Sequence, residues 1–521
     1  LCFGRARVMA NAGRPIWPRV PSGFVKGQLR AHKLLGLALA AVMYLVCVTG
    51  AIAVFYAEFE RWEQPGVPEM TRASPEAVGR AVAYARQHIA QTGVTPSDVY
   101  VITPSAEMPR LVVDYEQDVL AFDANGAYAG SGAHELTHFL TELHYALHLP
   151  WPIGFITIGV LGVLLVALIA GGALALPRMF RDAFTLRLDG GRRISRVDLH
   201  NRMAVWGLPF HLLVAASGAA MGIALVAISV AGPVMFGGDG ARATGVMYGD
   251  PAAIAAQARQ AGAPASTLPE AHIVAALQSL ARERPNNPPI YIALNQFGTP
   301  NEIISIGAGH GDRLIYSETY RFDSAGGLMS ADGYAEGEAG RQVLASMFRI
   351  HAGAFGGLAV KFIYLALGLA LSFICTTGVD IWLAKAAARG REYRRVQSVW
   401  TSFVWATPAM LALTSTLHVL WAAPPVPVFW SGLLLLSLAG VWTPQKFVHW
   451  FAPLATGVLT IALPSAHVVR FGADAMTTAG LPMNAGLVLA SLALVALGIR
   501  NLAAGGNSAR AAEDQRAQIA A

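Results

Sequence analysis

The segments "AHKLLGLALAAVMYLVCVTGA" (residues 31–51) and "LHNRMAVWGLPFHLLVAASGA" (residues 199–219) are both apolar, and in each a histidine is followed by a small residue and a glycine. His32 to Gly50 and His200 to Gly218 are each eighteen residues. Runs of this length and polarity satisfy the ~20 residues that a helix needs to cross hydrocarbon. Over all 521 residues, 54% are hydrophobic and 13% charged, with a mean hydropathy of +0.46, which excludes an ordinary soluble globule. The chain reads as a mainly α, polytopic membrane protein.

A second pair of spans agrees as well as the first. His144 to Gly171 and His351 to Gly378 are each twenty-seven residues, and both start from a Leu-His or Ile-His step. The segments between the spans share an order too. "SPEAVGRAVAYARQHIAQTG" (74–93) reads as a helix capped by Ser74, and the strand-like runs "DVYVITP", "RLVVDYE" and "VLAFDANGAYAG" follow it. The later segment offers "PEAHIVAALQSLARE" and then "PIYIALNQ", "NEIISIGA" and "RLIYSETYRFDSAGGLMS". Phe122-Asp123-x-x-Gly126 is matched by Phe322-Asp323-x-x-Gly326. The first four spans are expected to be a duplicated helix–domain–helix unit, with two small α+β domains outside the membrane.

Lysine and arginine set the expected orientation, because positively charged loops stay on the cytoplasmic side. Arg5, Arg7, Arg14, Arg19, Lys26, Arg30 and Lys33 precede the first span, and "PRMFRDAFTLRLDGGRRISRVDLHNR" and "AKAAARGREYRR" follow the second and fourth. The expected order is a cytoplasmic segment at 1–33, a span at 34–58, an external domain at 59–143, a span at 144–177, a cytoplasmic loop at 178–200, a span at 201–234, a second external domain at 235–350, and a span at 351–385. A cytoplasmic loop at 386–399, four further spans within 400–503 and a cytoplasmic tail at 504–521 complete it. The sixth span, "FWSGLLLLSLAGVW", is short. The first span reads as retained rather than as a cleaved signal peptide. A net charge of +6 is absorbed by the cytoplasmic loops and calls for no nucleic acid.

The repetition sorts the histidines. His32 and His200 fall at equivalent cytoplasmic span ends, and His144 and His351 at equivalent external ends. Membrane-edge ionisable residues are costly and tend to be functional. Two imidazoles from different helices at each end of a four-helix bundle are a natural way to hold a haem iron with no position left open. His211 lies eleven residues beyond His200, roughly 16 Å deeper on a helix, with Met43 as its counterpart, and is expected to be a buried histidine bonded to a neighbouring helix. His148 has Phe355 as its counterpart; His418, His449 and His467 have no matched spacing and read as interfacial. His134-Glu135-x-x-His138 has the spacing of a zinc hydrolase, with His144 or Glu142 as a possible third ligand, but "AGRQVLASMFRIH" before His351 lacks the motif.

"RAHKLLGLALAAVMYLVCVTGAIAVF", "LHYALHLPWPIG", "VDLHNRMAVWGLPFHLLVAASG" and "IHAGAFGGLAVKFIYLALGLALSFICTTG" resemble the four spans of the PepSY-associated transmembrane family, which includes iron-regulated inner-membrane proteins and siderophore reductases. The resemblance covers about residues 24–395. It implies two PepSY-like periplasmic domains and two haem b groups, with His32, His144, His200 and His351 as axial ligands. It also implies a bacterial inner-membrane oxidoreductase of ferric-chelate reductase type, with both termini cytoplasmic, passing electrons to a periplasmic ferric siderophore or other redox partner. The expected donor is a separate flavin reductase, reduced flavin or quinol, because no GxGxxG follows a strand in the cytoplasmic loops and no intrinsic flavin or nicotinamide domain is expected. The alternatives are a non-catalytic scaffold or accessory subunit of a membrane complex and, behind it, the zinc hydrolase. The four later spans depart from the family pattern.

Overall fold

The structure, a computed structural model, describes residues 21–115, 118–176, 191–226, 232–237, 270–299, 302–322 and 326–520. The arginines at 5, 7, 14, 19, 178, 181 and 187 and the Asp323 of the second turn motif lie outside the described residues. The apolar first span forms α1 (Ser22–Ala53), and the acidic "YAEFERWE" that follows forms α2 (Tyr56–Glu63). α3 (Pro75–Thr92) starts where Ser74 Oγ accepts from Ala77 N at 3.1 Å, with Pro75 at its first position, and ends at Gly93 in the left-handed region. Strands β1 (Asp98–Ile102), β2 (Leu111–Tyr115), β3 (Asp118–Phe122) and β4 (Tyr128–Ser131) then lead to α4 (Glu135–Tyr145).

The next apolar helix is α5 (Ile153–Leu174), followed by α6 (Gly191–Trp206) and α7 (Leu208–Val226). The second extramembrane segment gives α8 (Glu270–Glu283), β5 (Pro289–Asn295), β6 (Ile303–Ala308), β7 (Glu318–Phe322), β8 (Leu328–Ala331) and α9 (Ala339–Ala352). The remainder is α10 (Gly357–Ala387), α11 (Arg394–Trp421), α12 (Pro425–Ala439), α13 (Gln445–Phe471) and α14 (Gly480–Ala520). Among the described residues six helices are long and apolar enough to cross a membrane, and the chain is a multi-pass membrane protein. α6 and α7 make a seventh span only as a pair bent by 67°. Pro209 explains the bend, since it offers no N–H to the preceding turn and its ring crowds it. α12 has 15 residues, roughly 22 Å of helix against a hydrocarbon core of roughly 30 Å.

Three boundaries differ from the expected ones. The span placed at 144–177 begins at Ile153, because Leu147 and His148 adopt left-handed conformations (φ 54° each) that end α4. The span placed at 351–385 begins at Gly357, after Gly353 (φ 67°) terminates α9. The span placed at 201–234 is broken at Gly207. His144 and His351 therefore sit on α4 and α9, separate helices that end before the spans begin at Ile153 and Gly357.

Strands from both extramembrane segments lie in one eight-stranded sheet, in the order β4-β3-β2-β1-β5-β6-β7-β8. The central pair is antiparallel, with Val101 opposite Ile292 and Tyr100 opposite Ala293. One core serves both segments: Val78, Val82 and Ala85 of α3 and Ile273, Leu277 and Leu280 of α8 cover the same sheet beside Val99, Val101, Ile292 and Leu294. Across the seam, Arg86 of α3 pairs with the buried Glu302, and Asn295 Nδ2 donates to Asp98 Oδ1 at 2.9 Å. The sheet is tied to α2 by Arg110, whose guanidinium donates to the Glu60, Arg61 and Gln64 carbonyls at 3.3, 3.0 and 2.7 Å. Burial pulls Arg110 down to about 10, so it stays charged at neutral pH and can close that helix end.

Gly126 (φ 76°) turns β3 into β4 so tightly that a Cβ would run into the Ala77 carbonyl of α3; Gly126 and Gly326 (φ 81°) are the corresponding turns of the two halves. Gly93 has a similar φ of 71° but open space around it. Gly93→Ala is expected to cost the left-handed backbone alone, roughly 1–3 kcal/mol. Gly126→Ala should cost more, read as a larger fall in the thermal unfolding temperature of the detergent-solubilised protein.

Candidate functional site

α1, α5, α7 and α10 pack as a group, α1 against α10 and α5, and α5 against α7. At the sheet end of this group a cavity of about 600 Å³ opens between them, lined by His144, His351, Gly50, Gly218, Phe210 and Phe155 among others. The rings of His144 and His351 face each other across it, with centroids 6.0 Å apart and planes 29° apart. Trp151, Phe348 and Met43 make the rest of the wall largely apolar, and Tyr56, at the start of α2, joins it from the sheet side.

Each of the four candidate histidines is held in the same way. His144 lies over Gly50, where a Cβ would stand 2.5 Å from its Cε1, and its Nδ1 reaches the Val46 carbonyl at 3.0 Å. His32 lies over Gly172 (3.1 Å) and bonds the Leu168 carbonyl at 2.9 Å. His351 lies over Gly218 (3.0 Å) with Nδ1 3.0 Å from Ser217 Oγ, and His200 lies beside Gly378 (3.6 Å) with Nδ1 3.0 Å from Thr377 Oγ1. Both hydroxyls spend their hydrogen on the backbone, Ser217 on Leu213 O at 2.8 Å and Thr377 on Phe373 O at 2.9 Å, so each accepts from the imidazole. Every Nδ1 is thereby the protonated nitrogen, and every Nε2 keeps its lone pair. This is the tautomer in which histidine ligates a metal, with its other nitrogen fixed by a protein oxygen.

The structure thus brings His144 and His351 together at one end of the bundle. His32 and His200 lie at the other end, close enough for their charges to interact. Three of the glycines that mark the repeat, Gly50, Gly218 and Gly378, lie against a histidine of a facing helix; under His32 the glycine is Gly172, while Gly171 faces the Gln28 side chain. Val46 and Leu168 act through backbone carbonyls and left no signal; the Ser-Gly and Thr-Gly steps at 217–218 and 377–378 could have been read as one.

His211, His148 and His467 are engaged elsewhere. His211 is buried and its Nε2 donates to the Leu367 carbonyl of α10 at 3.2 Å, the helix-to-helix bond expected of it. His148 uses both nitrogens, Nε2 toward Phe139 O at 2.9 Å and Nδ1 from Trp430 Nε1 at 3.1 Å, which leaves none to substitute for His144. His467, expected at the interface, is fully buried: it stacks on Trp62 at 4.2 Å and donates to the Trp62 carbonyl at 2.7 Å. In the hydrolase motif, His134 precedes α4 and bonds Gly132 O at 3.1 Å, while His138 is 61% exposed. Among the described residues no three histidine, cysteine or acidic side chains converge to hold a metal ion. Glu63 caps the first turn of α4 through Leu136 N and Thr137 N at 2.7 and 2.9 Å; burial pushes its carboxyl up and these amides oppose the rise.

A multi-pass membrane protein with two latched histidine pairs, one at each end of its central helices, is the class these features define. The sequence profile of the PepSY-associated transmembrane region matches residues 29–385, and the chain belongs to that family. It is similar to the uncharacterised protein PA4219 of Pseudomonas aeruginosa, 26% identical over 345 residues that cover 62% of this chain and 83% of the relative.

Beside the cavity, Lys361 of α10 is only 2% exposed and is neutralised by Glu58 of α2 through two contacts of 2.8 Å. Glu58→Gln strands that ammonium and is expected to destabilise the protein by about 3–5 kcal/mol. Glu58→Gln with Lys361→Met should recover most of the loss, checked by thermal unfolding of the three proteins in one detergent.

Proposed function

We propose that this chain is a haem b protein of the bacterial inner membrane that carries electrons across the bilayer to an acceptor on the side of the eight-stranded sheet. The reading rests on His144 and His351, which face each other across an apolar cavity with their Nδ1 atoms anchored and their Nε2 atoms free. The residues fit the group. His144 and His351, with ring centroids 6.0 Å apart and each Nδ1 bonded to a protein oxygen, would hold the group through their Nε2 atoms. The cavity of about 600 Å³ falls within the roughly 300–1,000 Å³ typical of cofactor sites. A haem b held by two histidines supplies one-electron chemistry with no coordination position left for substrate.

His144 and His351 would hold one haem and His32 and His200 a second. The eighteen residues of α1 from His32 to Gly50 rise roughly 27 Å, close to the roughly 30 Å of the hydrocarbon core. Apolar walls surround the space between His144 and His351, and Tyr56 lines it on the sheet side. Arg389, Arg391, Arg394 and Arg395 lie at the His200 end, which supports a cytoplasmic face there and a periplasmic sheet. The palindromic strand order and the reciprocal histidine–glycine latches support one helix–domain–helix unit used twice, its two extramembrane parts being PepSY-like. The donor is a reduced flavin, a flavin reductase or quinol, and the acceptor a ferric siderophore or another periplasmic redox partner.

The purified protein, expressed with haem supplied, is expected to give a b-type α band on dithionite reduction. His144→Ala or His351→Ala should lower haem to about half, leaving the second pair loaded. A haem-free wild type, or a His144→Ala/His351→Ala protein with undiminished haem, overturns the reading. Reoxidation of the reduced protein by a ferric hydroxamate tests the acceptor; no reoxidation removes the ferric-chelate class.

Gly50→Ala, whose Cβ would stand 2.5 Å from His144, is expected to lose haem from the same site, whereas Gly378→Ala, with 3.6 Å to His200, should keep both. Equal haem contents in these two variants would contradict the latch.

A further inference from the structure

The family match ends at residue 385, and α11 to α14 lie beyond it. These four helices bear on α4, the helix that carries His144. At its C-terminal end, α4 stops in the consecutive left-handed residues Leu147 and His148, a strained conformation for side chains other than glycine. The His148 ring stabilises that turn. Its Nε2 donates back to the Phe139 carbonyl at 2.9 Å, its face stacks on Phe139 at 5.0 Å, and its Nδ1 accepts from Trp430 of α12 at 3.1 Å. Phe429, the residue before, is fully buried with its ring 5.6 Å from Phe139.

At the N-terminal end the cap comes from Glu63, which also accepts from Thr137 Oγ1 at 2.9 Å, and His418 of α11 stands 3.9 Å from the same carboxylate. Glu63 is fixed through its neighbour. Trp62 donates to Asn484 of α14 at 2.8 Å, its carbonyl accepts from His467 of α13 at 2.7 Å, and Asn484 meets the other nitrogen of His467 at 3.2 Å. Among the described residues, α9, which carries His351, makes no side-chain hydrogen bond to these helices. Its end is gathered by Arg349, which donates to the His310, Arg313 and Ala354 carbonyls at 3.2, 3.0 and 2.9 Å, all within its own half.

We infer that α11 to α14 are the mounting of α4: Trp430, acting through His148, and the Trp62–His467–Asn484 cluster, acting through Glu63, fix the rotation of this helix and so the direction of His144 Nε2. Trp430 is a positioning residue. It touches neither the cavity nor the His144 ring, and its effect passes along the strained turn three residues after His144. The inference rests on the haem reading only for its spectroscopic consequence.

The test uses the full chain with Trp430→Phe, which keeps the ring and removes the donor. His148→Gln serves as the rescue, since its amide can accept from Trp430 and donate to Phe139 O. Amide exchange is expected to accelerate across residues 135–148 in Trp430→Phe and to stay unchanged across 339–352, with His148→Gln near wild type. In the haem-loaded protein, one of the two low-spin electron paramagnetic resonance signals should shift. The same haem should be retained roughly tenfold less tightly, the scale on which outer partners act on metal ligands. Unchanged exchange over 135–148, or unchanged spectra for both haems, overturns the inference. A wild type without haem would instead sink the haem reading, and the exchange measurement would still decide whether these helices hold α4.

Discussion

An imidazole has two nitrogens, and the partner of one decides what the other can do. At each of the four histidines the ring rests on a helix glycine, where the missing Cβ lets it reach the oxygens of that helix. For His144 and His32 the acceptor is the carbonyl one turn before the glycine, Val46 before Gly50 and Leu168 before Gly172. For His351 and His200 the hydroxyl beside the glycine takes the same place. A buried N–H without a partner would be costly, so the bond is also what permits the ring to sit there. Glycine spacing, helix separation and tautomer are three consequences of one contact.

The latches run within halves. His32 of α1 locks onto α5 and His144 locks back onto α1; His200 of α6 locks onto α10 and His351 locks back onto α7. The facing of His144 and His351 joins the two halves instead, and its width depends on what holds the halves together. Outside the membrane that is the β1–β5 pairing and the Arg86–Glu302 pair across it. Nearer the membrane it is the buried Lys361–Glu58 pair between α10 and α2, and within the bundle the packing of α1 on α10 and of α5 on α7. Antiparallel pairing admits only registers that keep Val101 and Ile292 on the core side. The sheet is in this sense a spacer that sets the distance between two imidazoles.

Periodicity made the spans, the capped α3 and the strands legible in the sequence, because burial of one face imposes a repeat. Equal spacing made the histidine pairs legible. What stayed hidden has physical reasons. The joining of eight strands into one sheet depends on two edges meeting, and β1 and β5 carry no mark of it. The breaks before α5 and α10 also left no mark, so the spans expected from 144 and 351 begin at Ile153 and Gly357; at the first break Leu147 and His148 hold a conformation that their side chains disfavour. Backbone carbonyls such as Val46 O are the same in every residue, so no side chain announces them. His467 looked interfacial by its place near a span end; its partner Trp62 is four hundred residues away, and only the fold brings them together.

The same distance in sequence explains why the two halves, alike in their latches, are unlike in their supports. A histidine that must point in one direction needs its helix held against rotation, and the packing of α4 on α1 and of α9 on α7 holds one side of each helix. α9 meets the need locally, with Arg349 closing three carbonyls around its last turn. α4 closes its last turn through Ala146 N, which donates to the Glu142 carbonyl at 2.8 Å, and through the His148 ring, which bonds back to the Phe139 carbonyl; that ring, in a left-handed residue, calls for a bond from outside the helix. Trp430 provides one, and the N–H of a partly buried tryptophan is well suited to it, being a donor with no competing acceptor and a large apolar face to pack. Helices outside the family's common region can therefore be integral to a site composed wholly of residues inside it.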